Sequence, residues 1–281
     1  MDPGDRARGL FELARPGNAV AAGVLTFTGA FVAGGALAEP GAVVAAVLAT
    51  VLATAAGNAI NDYFDRDIDS INRPGRPIPR GAVTPRETKL YAGILFAGAV
   101  GAALLLPLLA IAIAVINLIA LLLYTELFKG TPGVGNVVVA YLTGSTFLFG
   151  GAAVERPLGA VVLFLLAALA TLAREIVKDV EDITGDREEG LRTLPIVIGS
   201  RQALTIGAGV LVVAVLASVV PVVRGTFGTV YLLVVLPADA IMLQGMIRAF
   251  DDPGRGQRRI KQGMFLAAGA FVVGRLVLLL G

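Results

Sequence analysis

The sequence predicts an all-α polytopic membrane protein, with nine transmembrane helices bundled around a central cavity. Three observations carry this expectation. Of 281 residues, 56% are apolar and only 16% charged, and the mean hydropathy of +0.82 lies outside the range of water-soluble domains. Apolar runs of about 20 residues, the length that crosses a bilayer at about 1.5 Å per residue, cover almost the whole chain. Finally, lysine and arginine fall in alternate connecting loops, as a correct count of spans requires.

The charged start, Asp2 to Arg15, precedes a span at 17–38 that lacks a short cleavage-type ending, so it reads as a retained helix and not a removed signal. Further spans are expected at 42–64, 88–106, 108–127, 135–153, 157–178, 202–222, 227–248 and 262–280, with breaks at Pro40, Pro107, Pro132, Pro157 and Pro253. Pro107 divides a long apolar stretch into two helices. Residues 1–281 read as a single transmembrane domain. Glycines such as Gly29, Gly34, Gly98 and Gly101 are expected at close helix contacts. Asn117, Ser145 and Thr146 lie at membrane depth and are expected to hydrogen-bond between helices. Asp239 stands alone within the eighth span, and either faces the cavity or lies beyond the true span end.

Twenty of the 23 basic residues fall in the N-terminal arm and alternate loops, leaving Arg156, Arg224 and Arg275 opposite. By the positive-inside rule the N-terminus and those loops are cytoplasmic, as expected of a multi-pass cell-membrane protein. The net charge of +2 is not gathered on a soluble domain, which excludes a nucleic-acid partner. Cysteine and histidine are both absent, so disulfides, thiolate or imidazole catalysis, and zinc sites of the nitrogen and sulfur type are excluded.

Acidic residues are concentrated, with 11 of 21 between Asp62 and Asp69 or between Glu175 and Glu189. Both segments end spans, and both carry the pattern D-x-x-D-x-x-x-D: Asp62, Asp65, Asp69 and Asp179, Asp182, Asp186. The copies end the second and sixth spans and therefore point the same way. Two parallel four-helix repeats plus a ninth helix follow, with a site between the halves. On a helix at about 100° per residue, Asn58, Asp62, Asp65 and Asp69 share one face, as do Glu175, Asp179, Asp182 and Asp186. Gly185 offers a helix stop before Asp186.

Three like charges within two turns repel, and two such faces beside a bilayer are costly without a cation between them. All-oxygen ligation favours magnesium, which keeps positions for water or phosphate oxygens, so a phosphate-bearing ligand is implied. The bland reading, solvated helix ends, is weakened by the repeated spacing. INRPGRPIPRG places Arg73, Arg76 and Arg80 in a proline-stiffened loop, and arginine pairs bidentately with phosphate. Lys129 follows Tyr124 in YTELFKG, while Arg174 and Lys178 flank the second acidic face.

NDYFDRDIDSINRPGRPIPRG together with REIVKDVEDITGD resembles the intramembrane prenyltransferases of the UbiA superfamily. With VGNVVVAYLTGSTFLFGG, it resembles within them the archaeal group that forms the second ether bond of membrane lipids. The resemblance implies magnesium-dependent transfer of a geranylgeranyl group from geranylgeranyl diphosphate to the hydroxyl of geranylgeranylglyceryl phosphate, so a prenyl diphosphate donor, a lipid-phosphate acceptor and the bilayer are the expected partners. It implies Asn58, Asp62, Asp65, Asp69, Asp179, Asp182 and Asp186 as ligands of magnesium or its waters, with Asp62, Asp65, Asp179 and Asp182 catalytic. It implies Arg73, Arg76, Lys129 and Lys178 as phosphate contacts, and Tyr124 and Asn18 as polar pocket positions. An aromatic acceptor is the sibling reading. A cation-coupled transporter is a distant third, because its carboxylates belong at the bilayer midplane and not at helix ends beside arginines.

Overall fold

A computed structural model describes residues 2–128 and 130–280, without the side chains of Thr125 and Glu126. The described residues form helices α1 (Pro3–Ala14), α2 (Pro16–Ala33), α3 (Pro40–Phe64), α4 (Arg66–Asn72), α5 (Pro85–Ala103) and α6 (Leu108–Leu123), the last running into a π-helical turn at Tyr124–Phe128. After these come α7 (Val134–Ala153), α8 (Pro157–Glu181), α9 (Ile183–Glu188), α10 (Leu194–Ile198), α11 (Ser200–Ala217), α12 (Val220–Val223), α13 (Thr229–Ala249) and α14 (Pro253–Leu280). The chain is a multi-pass, all-helical membrane protein.

Prolines read as breaks act as starts. Pro40, Pro157 and Pro253, like Pro3, Pro16 and Pro85, occupy the first helical position, where a missing N–H breaks no hydrogen bond. The last helix therefore opens at Pro253 and not at 262, and its first turns carry Arg255, Arg258, Arg259 and Lys261.

Seven helical stretches among the described residues are long and apolar enough to cross a membrane: α2, α3, α7, α8, Ser200–Val223, α13 and α14. The two other expected spans fall short of that standard for different reasons. α6 has 16 residues because the π turn takes the end of the expected fourth span. α5 has 19 residues but opens on Arg86, Glu87 and Lys89, fixed by a capping box between Thr84 and Glu87.

Glycine brings the two halves of the chain into backbone contact. A Cβ at Gly29 of α2 would overlap the backbone of Phe147 in α7, and one at Gly150 of α7 would overlap Thr26 O of α2. Gly101, by contrast, faces open space, so its expected contact role is not seen. The expected interhelical bonds of Ser145 and Thr146 are also replaced. Their hydroxyls bond carbonyls of their own helix, Leu142 O at 2.9 Å and Thr143 O at 2.6 Å, the usual local competitor for a helical hydroxyl. Asn117 Oδ1 is buried with no hydrogen-bond partner.

α1 lies at the charged end of the bundle, where the starts of α2, α5, α7 and α14 meet the ends of α3 and α8. Its fully buried Leu13 packs with Ala59 of α3, Ala92 of α5 and Val83 in the loop before α5. Arg80 ties the loop before α5 to α1 by a 2.6 Å bond to Glu12, whose carboxyl this guanidinium holds below the ordinary glutamate value.

Candidate active site

Each acidic motif bends its helix at the same place. Asp65 separates α3 from α4 at φ −81°, ψ 0°, and Asp182 separates α8 from α9 at φ −89°, ψ 1°. Both Asp N–H groups still reach the carbonyl four residues back, Asn61 O and Lys178 O, at 2.9 Å. The motifs are thus hinged and not straight helical faces, because ψ near zero turns the chain at the second aspartate. Gly185 lies inside α9, and the helix stop is at Asp182.

In the first motif Asp62 and Asp69 are buried, 4% and 5% exposed, while Asp65 at the hinge is exposed. Arg15 Nη2 and Arg76 Nη1 each approach Asp62 Oδ1 at 2.5 Å, and Arg76 Nη1 lies 3.2 Å from Asp69 Oδ2. That last contact has the distance of an ion pair without hydrogen-bond alignment, so Asp69 Oδ2 is a buried oxygen with no hydrogen-bond donor. Asn58 is oriented from both sides, accepting from Asn18 Nδ2 at 3.3 Å and donating to Ala14 O at 3.1 Å. Arg73 joins Arg15, Asp62 and Arg76 around an open cavity of about 460 Å³.

The second motif is wired differently. Asp179 accepts from Asn136 Nδ2 at 2.8 Å, and Lys178 Nζ bonds Asp182 Oδ2 at 2.8 Å. Glu175 is paired with its neighbour Arg174. Asp186 is pushed above the usual carboxylate range by burial first, opposed by the Thr193 hydroxyl and reinforced by Asp182. Tyr124 lies within electrostatic reach of Glu175, Lys178, Asp179 and Asp186. The loop beside it touches the loop after this motif, through Arg192 N and Gly130 O at 3.2 Å. Lys129 lies outside the described residues.

Two contributors escaped the sequence reading. Arg15 sits between α1 and α2 with a positive φ of 44°, and that turn aims its guanidinium at Asp62. Asn136 is the third residue of α7, as Asn18 is of α2, and both follow glycine: Gly17-Asn18 and Gly135-Asn136. This echo of the acidic repeat was the available signal.

No three acidic side chains among the described residues stand close enough to hold one ion by themselves. The donor chemistry nevertheless fits a hard cation. It offers only oxygens, two hinge carboxylates free of the helix interior, and the undonated Asp69 Oδ2. Magnesium, which takes few carboxylates and fills its shell with water and phosphate, suits such a set.

The UbiA prenyltransferase family profile matches residues 22–269. The chain belongs to this family. The digeranylgeranylglyceryl phosphate synthase of Natronomonas pharaonis is 67% identical to it over 97% of this chain and 98% of that one. The synthase of the same name from Halobacterium salinarum is 58% identical over 97% and 99%. A solved digeranylgeranylglyceryl phosphate synthase structure is 33% identical, covers 96% of this chain and 98% of that one, and superposes at a TM-score of 0.84. A UbiA homolog from Archaeoglobus fulgidus, solved with GPP and Mg2+, shares the fold at 18% identity and a TM-score of 0.66, covering 96% of this chain and 98% of that one. Membership makes this UbiA-family chain a membrane-embedded prenyltransferase.

Proposed function

We propose that this chain transfers a geranylgeranyl group from geranylgeranyl diphosphate to the free hydroxyl of geranylgeranylglyceryl phosphate, forming the second ether bond of an archaeal lipid. The observation that carries the reading is near-full-length similarity to synthases named for that product, at 58–67% identity. In this reading residues 1–281 act as one unit of nine membrane segments in two parallel four-helix repeats plus one. α5 and α6 complete the set. The charged end faces the cytoplasm, with 20 of 23 basic residues on that side.

Asp62, Asp65 and Asp69 of one motif, with Asn58 beside them, and Asp179, Asp182 and Asp186 of the other hold magnesium directly or through water. Bound there, magnesium supplies positive charge to the leaving diphosphate. The protein's own cations do the rest of the neutralisation. Arg73 and Arg76, in the loop after α4, have guanidinium geometry suited to phosphate oxygens, and Lys178 of the second half and Lys129, in the sequence between the halves, add charge. Arg15 and Arg76 neutralise the buried Asp62, and the same two guanidinium groups border the open cavity where a diphosphate would arrive. Asn18 and Tyr124 position the polar end, and Asn136 orients Asp179. Apolar walls between the helices exclude water from the allylic carbon as the diphosphate departs. The acceptor hydroxyl loses its proton to a carboxylate of these motifs or to the departing diphosphate.

Purified protein given labelled geranylgeranyl diphosphate and magnesium should label geranylgeranylglyceryl phosphate and leave an aromatic acceptor unlabelled. Product from the aromatic acceptor alone would overturn the assignment.

A further inference from the structure

A second cavity, of about 180 Å³, lies between α2, α7, α8, α11, α13 and α14. Most of its wall is apolar, with Phe147 and Phe271 at its inner end, yet buried polar groups face into it. Thr171 is 2% exposed, and its hydroxyl has no hydrogen-bond partner. Asp239, 4% exposed, also lines it. The Ser218 hydroxyl lies 2.7 Å from Asp239 Oδ2 and 2.8 Å from Val215 O. Ser218 sits in the gap between α11 and α12, within the stretch that crosses the membrane, and its freed carbonyl accepts the Tyr231 hydroxyl at 2.8 Å. A helix broken at membrane depth is tolerated where it is buried in protein or lines a cavity, and such breaks recur at binding sites.

Two cations stand toward the charged end of the same cavity. Arg174 bonds Gln257 Oε1 at 3.1 Å, and Lys261 lies 5.9 Å from the Phe265 ring centroid with no ion-pair partner among the described residues. On α8, Thr171, Arg174, Glu175, Lys178 and Asp179 fall within an arc of about 140°, so one polar stripe runs from Asp179 to Thr171, about 12 Å deeper. Arg174 and Thr171 are separated by three residues, a rise of about 4.5 Å, which matches the span from a phosphate to the far oxygens of a glycerol.

From this geometry we infer that the cavity is the seat of the lipid-phosphate acceptor. Lys261 and Arg174 take the phosphate, Thr171 and Asp239 take the glycerol oxygens, and the chain begins among Phe147 and Phe271. The tail leaves past Phe265, which is 57% exposed on the outer surface of the bundle. The unpartnered Thr171 hydroxyl in an otherwise apolar chamber discriminates against a ligand lacking a matching oxygen, because the hydroxyl would then stay unpaired. This rests on the prenyltransferase reading, but its test does not require turnover.

The probe is a saturated 1-O-alkylglyceryl phosphate with a free second hydroxyl, titrated onto the full chain in detergent without the prenyl diphosphate donor, so that it binds without reacting. Thr171→Val, which keeps the shape and removes the hydroxyl, should weaken binding about fivefold, and Lys261→Gln about tenfold. Both should leave the KM for the prenyl diphosphate donor unchanged while raising the acceptor KM. The neutral alkylglycerol should bind at least tenfold more weakly than the phosphate to wild type, and Lys261→Gln should abolish most of that difference. Wild-type affinity for the probe in both variants, or no probe binding at all, would overturn the proposal. Probe binding that depends on Thr171 and Lys261 in a protein found to prenylate some other acceptor would uphold the seat while rejecting the assigned reaction.

Discussion

Asn136 gives the sharpest test of how the second motif works. It is 7% exposed and donates to Asp179 at 2.8 Å, the one hydrogen bond that carboxylate accepts among the described residues. A hydrogen bond to a charged acceptor contributes about 1.5–3 kcal/mol. At about 1.4 kcal/mol per factor of ten, Asn136→Ala should weaken whatever Asp179 holds by roughly 10- to 150-fold. Loss of a group that orients a metal ligand typically costs about 10- to 100-fold in metal affinity, so two independent arguments agree. The assay is a magnesium titration of prenyl transfer by purified protein, with thermal melting as a control for folding. Half-saturation should move to a magnesium concentration roughly 10- to 100-fold higher, with kcat largely recovered at saturation. A titration curve superimposable on wild type, in a protein that melts normally, would refute the idea that Asn136 serves Asp179 and that Asp179 serves the metal.

Asp62→Asn keeps the volume of the side chain while removing the charge that Arg15 and Arg76 share, and should lower turnover at least about 100-fold, near 2.7 kcal/mol in the barrier. Its melting temperature should change little, because both guanidinium groups border an open cavity, and near-normal activity would count against the site. Gly150→Ala should destabilise by about 1–3 kcal/mol, since its Cβ would meet Thr26 O, whereas Gly101→Ala, facing open space, should be neutral or stabilising by up to about 1 kcal/mol; equal denaturation midpoints would reject the proposed α2–α7 contact. Acid should loosen α1. Arg80 lowers the Glu12 carboxyl below its ordinary 4.5, so this contact stabilises above that pH and is lost as pH falls through the folded value. Hydrogen exchange across Pro3–Ala14 should rise over that window and rise at neutral pH in Glu12→Gln, and exchange that ignores both changes would show that α1 is held otherwise.

Much of the candidate site was legible because its signal is local and expensive. Carboxylates beside a bilayer are retained only with partners, so Asp62, Asp69 and Asp179 stood out by position alone. The repeat also gave the parallel orientation of α3 and α8. Less legible were features set by single backbone angles or by neighbours far along the chain. Arg15 reaches Asp62 across 47 residues through a positive φ, and the hinges at Asp65 and Asp182 turn on a ψ near zero that propensity does not announce. Hydroxyls were misread for the opposite reason: Ser145 and Thr146 found carbonyls on their own helix before any neighbour.

Composition and periodicity alone determined that the chain lives in a bilayer and that it carries two equivalent acidic segments at helix ends, and from these came the proposal of a chemistry run on oxygen ligands and fixed cations. Those are properties of side-chain type and spacing. Only the tertiary structure decided which cations neutralise which carboxylates, that Asp239 and Thr171 share a chamber, and that Gly29 and Gly150 let α2 and α7 touch. The reason is physical: inside a membrane the partner of a polar group is whichever helix packs against it, and packing depends on the shapes of both surfaces together.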